Sequence, residues 1–388
     1  MAPARPDPRS GPMLDAPHLD PVAPAETRPA RPSVKARLWR PKRLIVTEAA
    51  RATAIAETAL DRAEALGLEV VHASGNAVRG LKGETEAETY RRAKSTLAIV
   101  RSPPSARKLQ PIPPSADFRL DLATGCPAHC QYCYLAGSLS GPPVTRAYGD
   151  LDAILAVVPD YAGQGRITSA SEARAHEGTT FEGSCYTDPL AIEPLTGSLS
   201  RAVARFAQYR ADGLDVSFRF TTKYDAVGPL TALDHGGATR ARFSINVPAI
   251  TRRFEGGTAP LEGRLAAMGA MARAGYPVGL TIAPIMPVEG WEAAYDRLFA
   301  DVAAALPEGA DVTAELITHR FTPGSRDVLL GWYPATALEM DEAVRTQKRN
   351  KFGGVKYVYP KERMKEMREA LEASLRARLP AARLLYWT

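Results

Sequence analysis

The sequence predicts an α/β fold: a partial (β/α)6 barrel of TIM type, preceded by a small α/β module and followed by a β-hairpin/helix extension. Strand-like and helical segments alternate over most of the 388 residues, which is typical of a parallel sheet covered by helices. Six candidate strands lie in the second part of the chain, and six units suit an open barrel better than a small doubly wound sheet. The composition, 45% hydrophobic and 24% charged, is that of a globular protein.

The first part of the chain divides into a tail and a module. Residues 1–34 are rich in proline and lack aromatic residues, so we expect a disordered tail. Residues 35–117 alternate in the manner of a small α/β module. The segments are a strand in "RLIVTEAA", a helix in "ATAIAETALDRAEALGL", a strand in "EVVHAS" and a helix in "TYRRAKSTLAIVR" that leads into a further element. The proline-rich "SPPSARKLQPIPPS" ends the module.

Residues 118–388 are predicted to form the barrel and its extension. The candidate strands are "DFRLDLA", "GTTFEGSC", "VSFRFTTK", "ARFSINV", "PVGLTIAPI" and "VTAELITHRF", with helices such as "GSLSRAVARFAQYRADG" and "LEGRLAAMGAMARAGY" between them. In such barrels the functional side chains lie at the carboxyl ends of the strands. Cys126, Cys185, Lys223 and Ser244 all occupy such positions, so we expect them to share one site.

Hydropathy and charge restrict the class of protein further. No apolar run approaches the length of a membrane span, and the N-terminus lacks the apolar region of a signal peptide. We therefore expect a cytoplasmic protein with no membrane partner. The net charge of +6 permits a polyanionic partner such as nucleic acid but does not require one.

Three of the four cysteines lie within eight residues, in "TGCPAHCQYCYLAGSLSG". In a reducing compartment such a cluster is more often a metal site than a disulfide framework. Structural zinc requires four ligands, and only Cys126, Cys130 and Cys133 are close together. A [4Fe-4S] cube bound by three cysteines keeps one iron open, and the C-x3-C-x2-C spacing is typical of radical S-adenosylmethionine (SAM) enzymes. A zinc site or an electron-transfer cluster is the alternative.

The chain resembles the spore photoproduct lyase family from about Arg40 to its C-terminus. The shared runs include "QYCYL", "FRFTTK", "RFSIN", "FEGGTAPLEGR", "ELITHRFTPGSRDV" and the closing "LLYWT". The resemblance implies a radical SAM carbon–carbon lyase that reverts 5-thyminyl-5,6-dihydrothymine to two thymines. It also implies a [4Fe-4S] cluster and SAM as cofactors, UV-damaged DNA as partner and a one-electron reductant of the flavodoxin or ferredoxin type.

The resemblance assigns catalytic roles outside the cysteine cluster. Cys185 matches the cysteine that donates a hydrogen atom to the product radical, and Tyr132 and Tyr134 match tyrosines that relay the radical afterwards. From the residues alone, Cys185 is as readily a small buried core residue, because free cysteine is usually buried. Both tyrosines would likewise be ordinary packing residues.

The resemblance also assigns four SAM contacts. Lys223 matches a lysine that holds the SAM carboxylate, and Ser244 and Asn246 match polar residues near the ribose. Thr187 stands where the family has serine and keeps the hydroxyl group. Each is otherwise an ordinary polar residue at a strand end.

The stretch "KRNKFGGVKYVYPKER" is basic with interleaved aromatic residues and predicts a DNA-contacting hairpin. Lys351, Phe352 and Lys356 are its candidate DNA contacts. Lyases of the family carry an arginine–tyrosine pair at the first two positions, and lysine lacks the bidentate fork of arginine. This departure suggests one alternative function, a radical SAM enzyme acting on another DNA lesion. A second alternative is a metal-containing DNA-binding or electron-transfer protein without SAM chemistry.

Overall fold

The computed structural model describes residues 36–139, 141–168, 170–349 and 354–388. The predicted tail over 1–34 and the candidate DNA contacts Lys351 and Phe352 lie outside the described residues. Residues 36–388 belong to one unit. None of the helices in the described ranges combines the length and apolar character needed to cross a membrane.

The strands of the described residues alternate with helices along the chain. The strands are β1 (Arg43–Thr47), β2 (Glu69–Ala73), β3 (Thr96–Val100), β4 (Gln110–Ile112), β5 (Ala116–Arg119), β6 (Ala123–Thr124), β7 (His129–Cys130), β8 (Thr145–Tyr148), β9 (Thr179–Glu182), β10 (Val216–Thr222), β11 (Thr239–Ser244), β12 (Glu255–Gly256), β13 (Val278–Ile285), β14 (Val312–Thr318), β15 (Thr346–Arg349), β16 (Val355–Val358) and β17 (Arg383–Trp387). The helices are α1 (Ala54–Ala65), α2 (Glu86–Lys94), α3 (Leu151–Leu155), α4 (Val158–Tyr161), α5 (Pro189–Thr196), α6 (Ser198–Ala211), α7 (Gly228–Thr231), α8 (Pro248–Phe254), α9 (Leu261–Arg273), α10 (Trp291–Ala305), α11 (Pro323–Trp332) and α12 (Lys361–Arg378).

The main sheet has the strand order β17-β14-β13-β11-β10-β9-β5-β4. Neighbouring strands from β5 to β17 pair in parallel, and β4 pairs with β5 in the antiparallel direction. Helices connect the successive parallel strands, so the carboxyl ends of those strands meet at one edge of the sheet. The predicted mixed α/β fold is confirmed.

The outer face of the main sheet is apolar because helices cover it. Helix α6 buries Leu199, Ala202 and Phe206 on one face, at the spacing of an amphipathic helix. The ring of Phe206 stacks on that of Phe218 in β10, with the ring centroids 5.0 Å apart. Burial of one such ring stabilises the fold by roughly 1.5–3 kcal/mol.

The alternate positions of the same strands carry charged side chains that are also buried. Arg219 Nη2 lies 2.8 Å from Glu315 Oε1, and Arg242 Nη1 lies 2.7 Å from Glu315 Oε2. Arg242 also pairs with Glu182. Although burial alone would raise the pKa of Glu315, the two guanidinium groups hold that pKa below its ordinary value. We call these four residues the buried ion network; it ties β9, β10, β11 and β14 together.

A second sheet has the strand order β2-β1-β3-β8-β6. The pairs β2–β1, β1–β3 and β3–β8 are parallel. The last pair, β8–β6, is antiparallel. This sheet draws β6 and β8 from the chain beyond residue 117. The predicted boundary between a module over 35–117 and a barrel over 118–388 stays a prediction.

Two short antiparallel ladders complete the pairing. Strand β7 pairs with β12, so Cys130 lies opposite Glu255. Strands β15 and β16 form the hairpin that the basic C-terminal stretch predicts, with Lys348 opposite Lys356. Helix α12 and strand β17 follow the hairpin, and β17 returns to the edge of the main sheet.

Candidate active site

A cavity of about 300 Å³ opens at the carboxyl ends of the parallel strands of the main sheet. Its lining includes eight predicted site residues, namely Cys126, Cys130, Tyr132, Cys133, Tyr134, Thr187, Lys223 and Ser244. From Cys126 to Ser244, these residues span more than one hundred positions of the sequence. The parallel sheet brings them together because each follows or ends a strand, or belongs to the cysteine loop.

The loop that carries the cysteines is held in place by its neighbours. Gly125 precedes Cys126 with a φ of +77°, and a side chain there would collide with the backbone of Val144. Cys130 belongs to β7, which pairs with β12. Cys133 precedes a 3₁₀ turn over Tyr134–Ser138. These contacts with neighbouring segments define the path of the loop.

Lys94 stabilises this loop, and sequence reasoning missed it. Its Nζ donates to the carbonyl oxygen of Cys126 at 2.6 Å and also to that of Ala128. The residue lies at the end of α2 and is only 7% exposed. Nothing in "YRRAKS" distinguishes this lysine from the solvated lysines common on helix surfaces.

All four cysteines lie within the described residues and are unbridged. Burial raises the pKa of Cys126 to about 11, with Lys94 acting in the opposite direction. Burial likewise raises the pKa of Cys130 to about 12, with Lys223 opposing the rise. Metal ligands are thiolates, so metal binding here would release protons.

The residues present fit an iron–sulfur cluster. The three thiols line one cavity, which fits a cube whose irons bind different cysteines. Soft thiolate donors also suit iron–sulfur chemistry.

Glu255 is a second residue that sequence reasoning missed. Its buried carboxylate accepts a hydrogen bond from the hydroxyl of Tyr132 and lies 3.3 Å from Lys223 Nζ and 2.6 Å from Arg264 Nη1. Burial opposes ionisation, but the two cations lower the pKa of Glu255, so the carboxylate is charged. It connects Tyr132 of the cysteine loop to Lys223. Glu255 lies in the run "FEGGTAPLEGR", where no pattern marked it.

Lys223 and Thr187 present polar groups to the cavity. Lys223 Nζ donates to Ser244 Oγ at 2.6 Å, and its side chain remains partly exposed. The hydroxyl oxygen of Thr187 is buried and has no hydrogen-bond partner among the described residues. An ammonium group beside an unpaired hydroxyl suits the carboxylate and amino groups of an amino acid ligand such as the methionine part of SAM.

Asn246 is not brought to the cavity. Its side chain donates to the carbonyl oxygen of Pro284 at 2.6 Å and accepts from Val247 N and the Tyr295 hydroxyl. The side chain is fully buried. Its predicted contact with the SAM ribose stays a prediction.

Cys185 does not line the cavity itself. Its chain neighbours Ser184 and Thr187 do, so Cys185 lies next to the cavity. Burial raises the pKa of the Cys185 thiol to about 12, and the Asp121 carboxylate adds to the rise. Asp121 pairs with Arg119 at 3.0 Å. Cys185 is therefore a protonated thiol at neutral pH, the form that can give up a hydrogen atom.

The hairpin supplies a basic surface near the cavity. Burial lowers the pKa of Lys356, and the neighbouring charges of Arg320 and Lys348 lower it further. Arg320 lines the cavity and lies over the ring of Tyr134, with its guanidinium carbon 5.4 Å from the ring centroid. Lys356, Arg320 and Lys348 thus bring three cationic side chains close together, and such a surface suits phosphate groups.

Comparison with known proteins identifies relatives along most of the chain. A family described as "Spore photoproduct lyase" matches residues 39–388. The spore photoproduct lyase of Bacillus subtilis (strain 168) is 40% identical over 332 residues, which cover 84% of this chain and 92% of that protein. The corresponding protein of Geobacillus sp. (strain Y412MC61) is 39% identical over 328 residues, covering 83% and 91% of the two chains.

Solved structures resemble the whole fold. A spore photoproduct lyase mutant with bound AdoMet and dinucleoside spore photoproduct is 37% identical, with a TM-score of 0.81. The alignment covers 91% of this chain and 100% of that one. A spore photoproduct lyase complexed with dinucleoside spore photoproduct has a TM-score of 0.80 at 37% identity, with coverage of 90% and 99%.

Proposed function

Because the chain belongs to the spore photoproduct lyase family, we propose that it reverts spore photoproduct, 5-thyminyl-5,6-dihydrothymine, to two thymines in DNA. It is a radical SAM lyase of that type, with a [4Fe-4S] cluster and SAM as cofactors. The observation that carries the proposal is the cavity in which three cysteine thiols share a wall with Lys223, Thr187 and Ser244.

The residues of the cavity fit both cofactors. Cys126, Cys130 and Cys133 would hold the cluster, and Lys223, Thr187 and Ser244 would bind SAM. When bound, the two cofactors supply the 5′-deoxyadenosyl radical that removes the hydrogen at C6 of the dihydrothymine. In this proposal the main sheet is the partial (β/α)6 barrel of the radical SAM class, and its packed core keeps water from the reacting groups.

Cys185 ends the reaction by giving its hydrogen atom to the product radical. The S–H bond breaks, a C–H bond forms on the thymine methyl carbon, and a thiyl radical remains on Cys185. The raised thiol pKa supports this role, because the thiol rather than the thiolate carries the hydrogen. Tyr132 and Tyr134 relay the radical away from the Cys185 thiyl group. The charged Glu255 orients the Tyr132 hydroxyl for this step.

The partners follow from the same site. Lys351, Phe352 and Lys356 contact the damaged duplex, and the cationic group of Lys348, Lys356 and Arg320 supports this placement. A flavodoxin or ferredoxin type protein would supply the electron that reduces the cluster. A cytoplasmic location suits both partners.

Anaerobic reconstitution tests the proposed function. The cluster-loaded protein, given SAM, a reductant and the dinucleotide lesion, is expected to release thymine dinucleotide and to hold about four irons per chain. With Cys185→Ala, SAM cleavage should continue while clean thymine recovery falls and adducts accumulate. Clean repair by that variant would contradict the donor role.

The same assay separates the alternatives. SAM cleavage without thymine recovery would favour another DNA lesion, as the Lys351–Phe352 pair suggests. Bound zinc with no SAM cleavage would favour a metal-containing DNA-binding or electron-transfer protein.

A further inference from the structure

We propose that His319 is a neutral hydrogen-bond donor that holds a carbonyl oxygen of the pyrimidine lesion in the cavity. The proposal rests on the proposed function and names one further residue that positions its substrate. His319 directly follows β14, lines the cavity and is only 2% exposed. No part of the mechanism described above uses it.

The contacts of the imidazole ring determine where its proton lies. Nδ1 is 3.1 Å from Arg345 Nη2, and a guanidinium group can only donate. Nδ1 must therefore accept, which leaves the ring proton on Nε2. Burial lowers the pKa of His319 to about 3, and the Arg345 charge lowers it further, so the ring is neutral at physiological pH.

The Nε2 atom has no partner of its own. It is buried and makes no hydrogen bond with any described residue. Buried donors in folded proteins are nearly always paired, so an unpaired one beside a cavity indicates a ligand acceptor. Thymine and dihydrothymine rings each carry two carbonyl oxygens that can accept from such a donor.

Arg345 is itself held, so the ring cannot easily turn away. Its Nη1 donates to the carbonyl oxygen of His319 at 3.1 Å, and its Nε donates to Glu339 at 2.7 Å. The guanidinium group lies 3.7 Å from the ring centroid of Tyr359. The arginine thus fixes both the orientation and the tautomer of the histidine.

The position of His319 favours the lesion over SAM as the ligand. Among the candidate SAM contacts, Ser244 ends β11, Lys223 directly follows β10, and Thr187 lies in the loop after β9. His319 belongs to the segment that pairs with the hairpin, since Phe321 and Tyr357 exchange backbone hydrogen bonds of 3.2 and 2.8 Å. Lys356, the predicted DNA contact that the structure describes, lies in the same hairpin and near Arg320 of the cavity lining.

Two substitutions at His319 test the inference in the cluster-loaded enzyme. His319→Phe keeps an aromatic ring at this position but removes the N–H donor. It should raise the KM for the dinucleotide lesion about tenfold or more, as expected for loss of one buried hydrogen bond. The SAM dissociation constant should change less than about twofold, within the usual effect of a neutral change. His319→Gln, whose amide N–H can replace the Nε2 donor, should recover most of the lesion affinity.

His235 provides a matched control. It is also a buried histidine, but it stacks on Tyr276 and its Nε2 is 3.0 Å from the carbonyl oxygen of Ala274, away from the cavity lining. His235→Phe should leave the lesion KM unchanged. A purely structural effect of losing a buried histidine would instead appear in both variants.

Nitrogen-15 NMR of the wild-type protein checks the tautomer even if a variant does not fold. A protonated Nε2 on His319 supports the inference, and a protonated Nδ1 overturns it. An unchanged lesion KM in His319→Phe, or weakened SAM binding alone, would also overturn it while repair by the wild type upholds the proposed function. No repair by the wild type would overturn both.

Discussion

The buried ion network and the cavity lie on the same parallel strands, yet their polar groups are paired differently. In the network, Arg219 and Arg242 face the carboxylate of Glu315 at hydrogen-bond distance. In the cavity, the Thr187 hydroxyl and the His319 Nε2 have no partner among the described residues. Arg219 Nε and Arg242 Nε in the network also lack a hydrogen-bond partner among the described residues, but they lie away from the cavity lining. A buried polar group that awaits a ligand is therefore marked by two features together, a missing partner and a place on the cavity wall.

The largest effect on the cavity is expected from the loss of one proposed cluster ligand, a cysteine side chain. Cys130→Ala should abolish SAM cleavage and reduce the bound iron from about four per chain to nearly none, because a cube needs all three cysteines. The unfolding free energy of the cofactor-free protein should change by less than about 1 kcal/mol, as expected for a small change in a partly exposed side chain. Iron analysis and urea unfolding measure the two effects.

Cys185→Ala is the matched control for iron binding. It removes a thiol near the cavity that is not a predicted cluster ligand, so iron should be retained. Loss of iron in both variants would show that the two thiols do not have separate roles.

Removing a charge from the network should have the opposite profile. Glu315→Gln removes the carboxylate that Arg219 and Arg242 share and leaves Glu182 as the remaining carboxylate of the network, which should lower the unfolding free energy by up to about 3–5 kcal/mol. Urea unfolding measures the loss. The exposed pair of Glu369 and Lys365 on α12 gives a control, since Glu369→Gln should cost less than about 1 kcal/mol. Equal effects in the two variants would contradict the structural role of the network.

Asp121 allows a smaller test that depends on pH. Burial raises its pKa to about 6, with Arg119 opposing the rise, while the unfolded chain has the ordinary value of 3.8. The folded state therefore favours the protonated acid. Its stabilising contribution is complete below pH 3.8 and is lost as the pH rises through about 6.

Asp121→Asn should remove this dependence. Relative to the variant, the wild type should lose about 2 kcal/mol of unfolding free energy between pH 4 and 6, which is most of the ~3 kcal/mol that the pKa difference allows over a wider pH range. Urea unfolding at a series of pH values measures this difference in unfolding free energy. Burial also raises the pKa of Asp188 to about 6, but this contribution is common to both proteins and cancels in the comparison. A constant difference across this range would contradict the raised pKa.

Local patterns predicted the parts of the protein that depend on neighbours in sequence. The spacing of Cys126, Cys130 and Cys133 is local, so these three residues could be proposed as cluster ligands without a structure. The alternation of apolar strands and amphipathic helices predicted the parallel main sheet, and residues at strand ends such as Lys223 and Ser244 were expected to converge. The hairpin of β15 and β16 followed from the glycine pair between two strand-like runs.

Other parts depend on contacts that no local pattern encodes. Lys94 reaches a carbonyl 32 residues away, and Glu255 accepts from Tyr132 across 123 residues. Asn246 ends a strand like Ser244, but its amide is directed to Pro284 rather than to the cavity. Burial and pairing of these groups depend on which distant elements pack against them, so a buried lysine or carboxylate looks like a solvated one in the sequence.

The sequence by itself therefore indicated the fold class and the three thiols, because periodicity and short spacing act over a few residues, and long runs of shared sequence indicated the family. Only the tertiary structure decided which polar groups are paired and which remain open, because pairing depends on long-range packing. The tautomer of His319 is the clearest instance. It is set by Arg345, 26 residues further along the chain, through one contact that exists only in the folded protein.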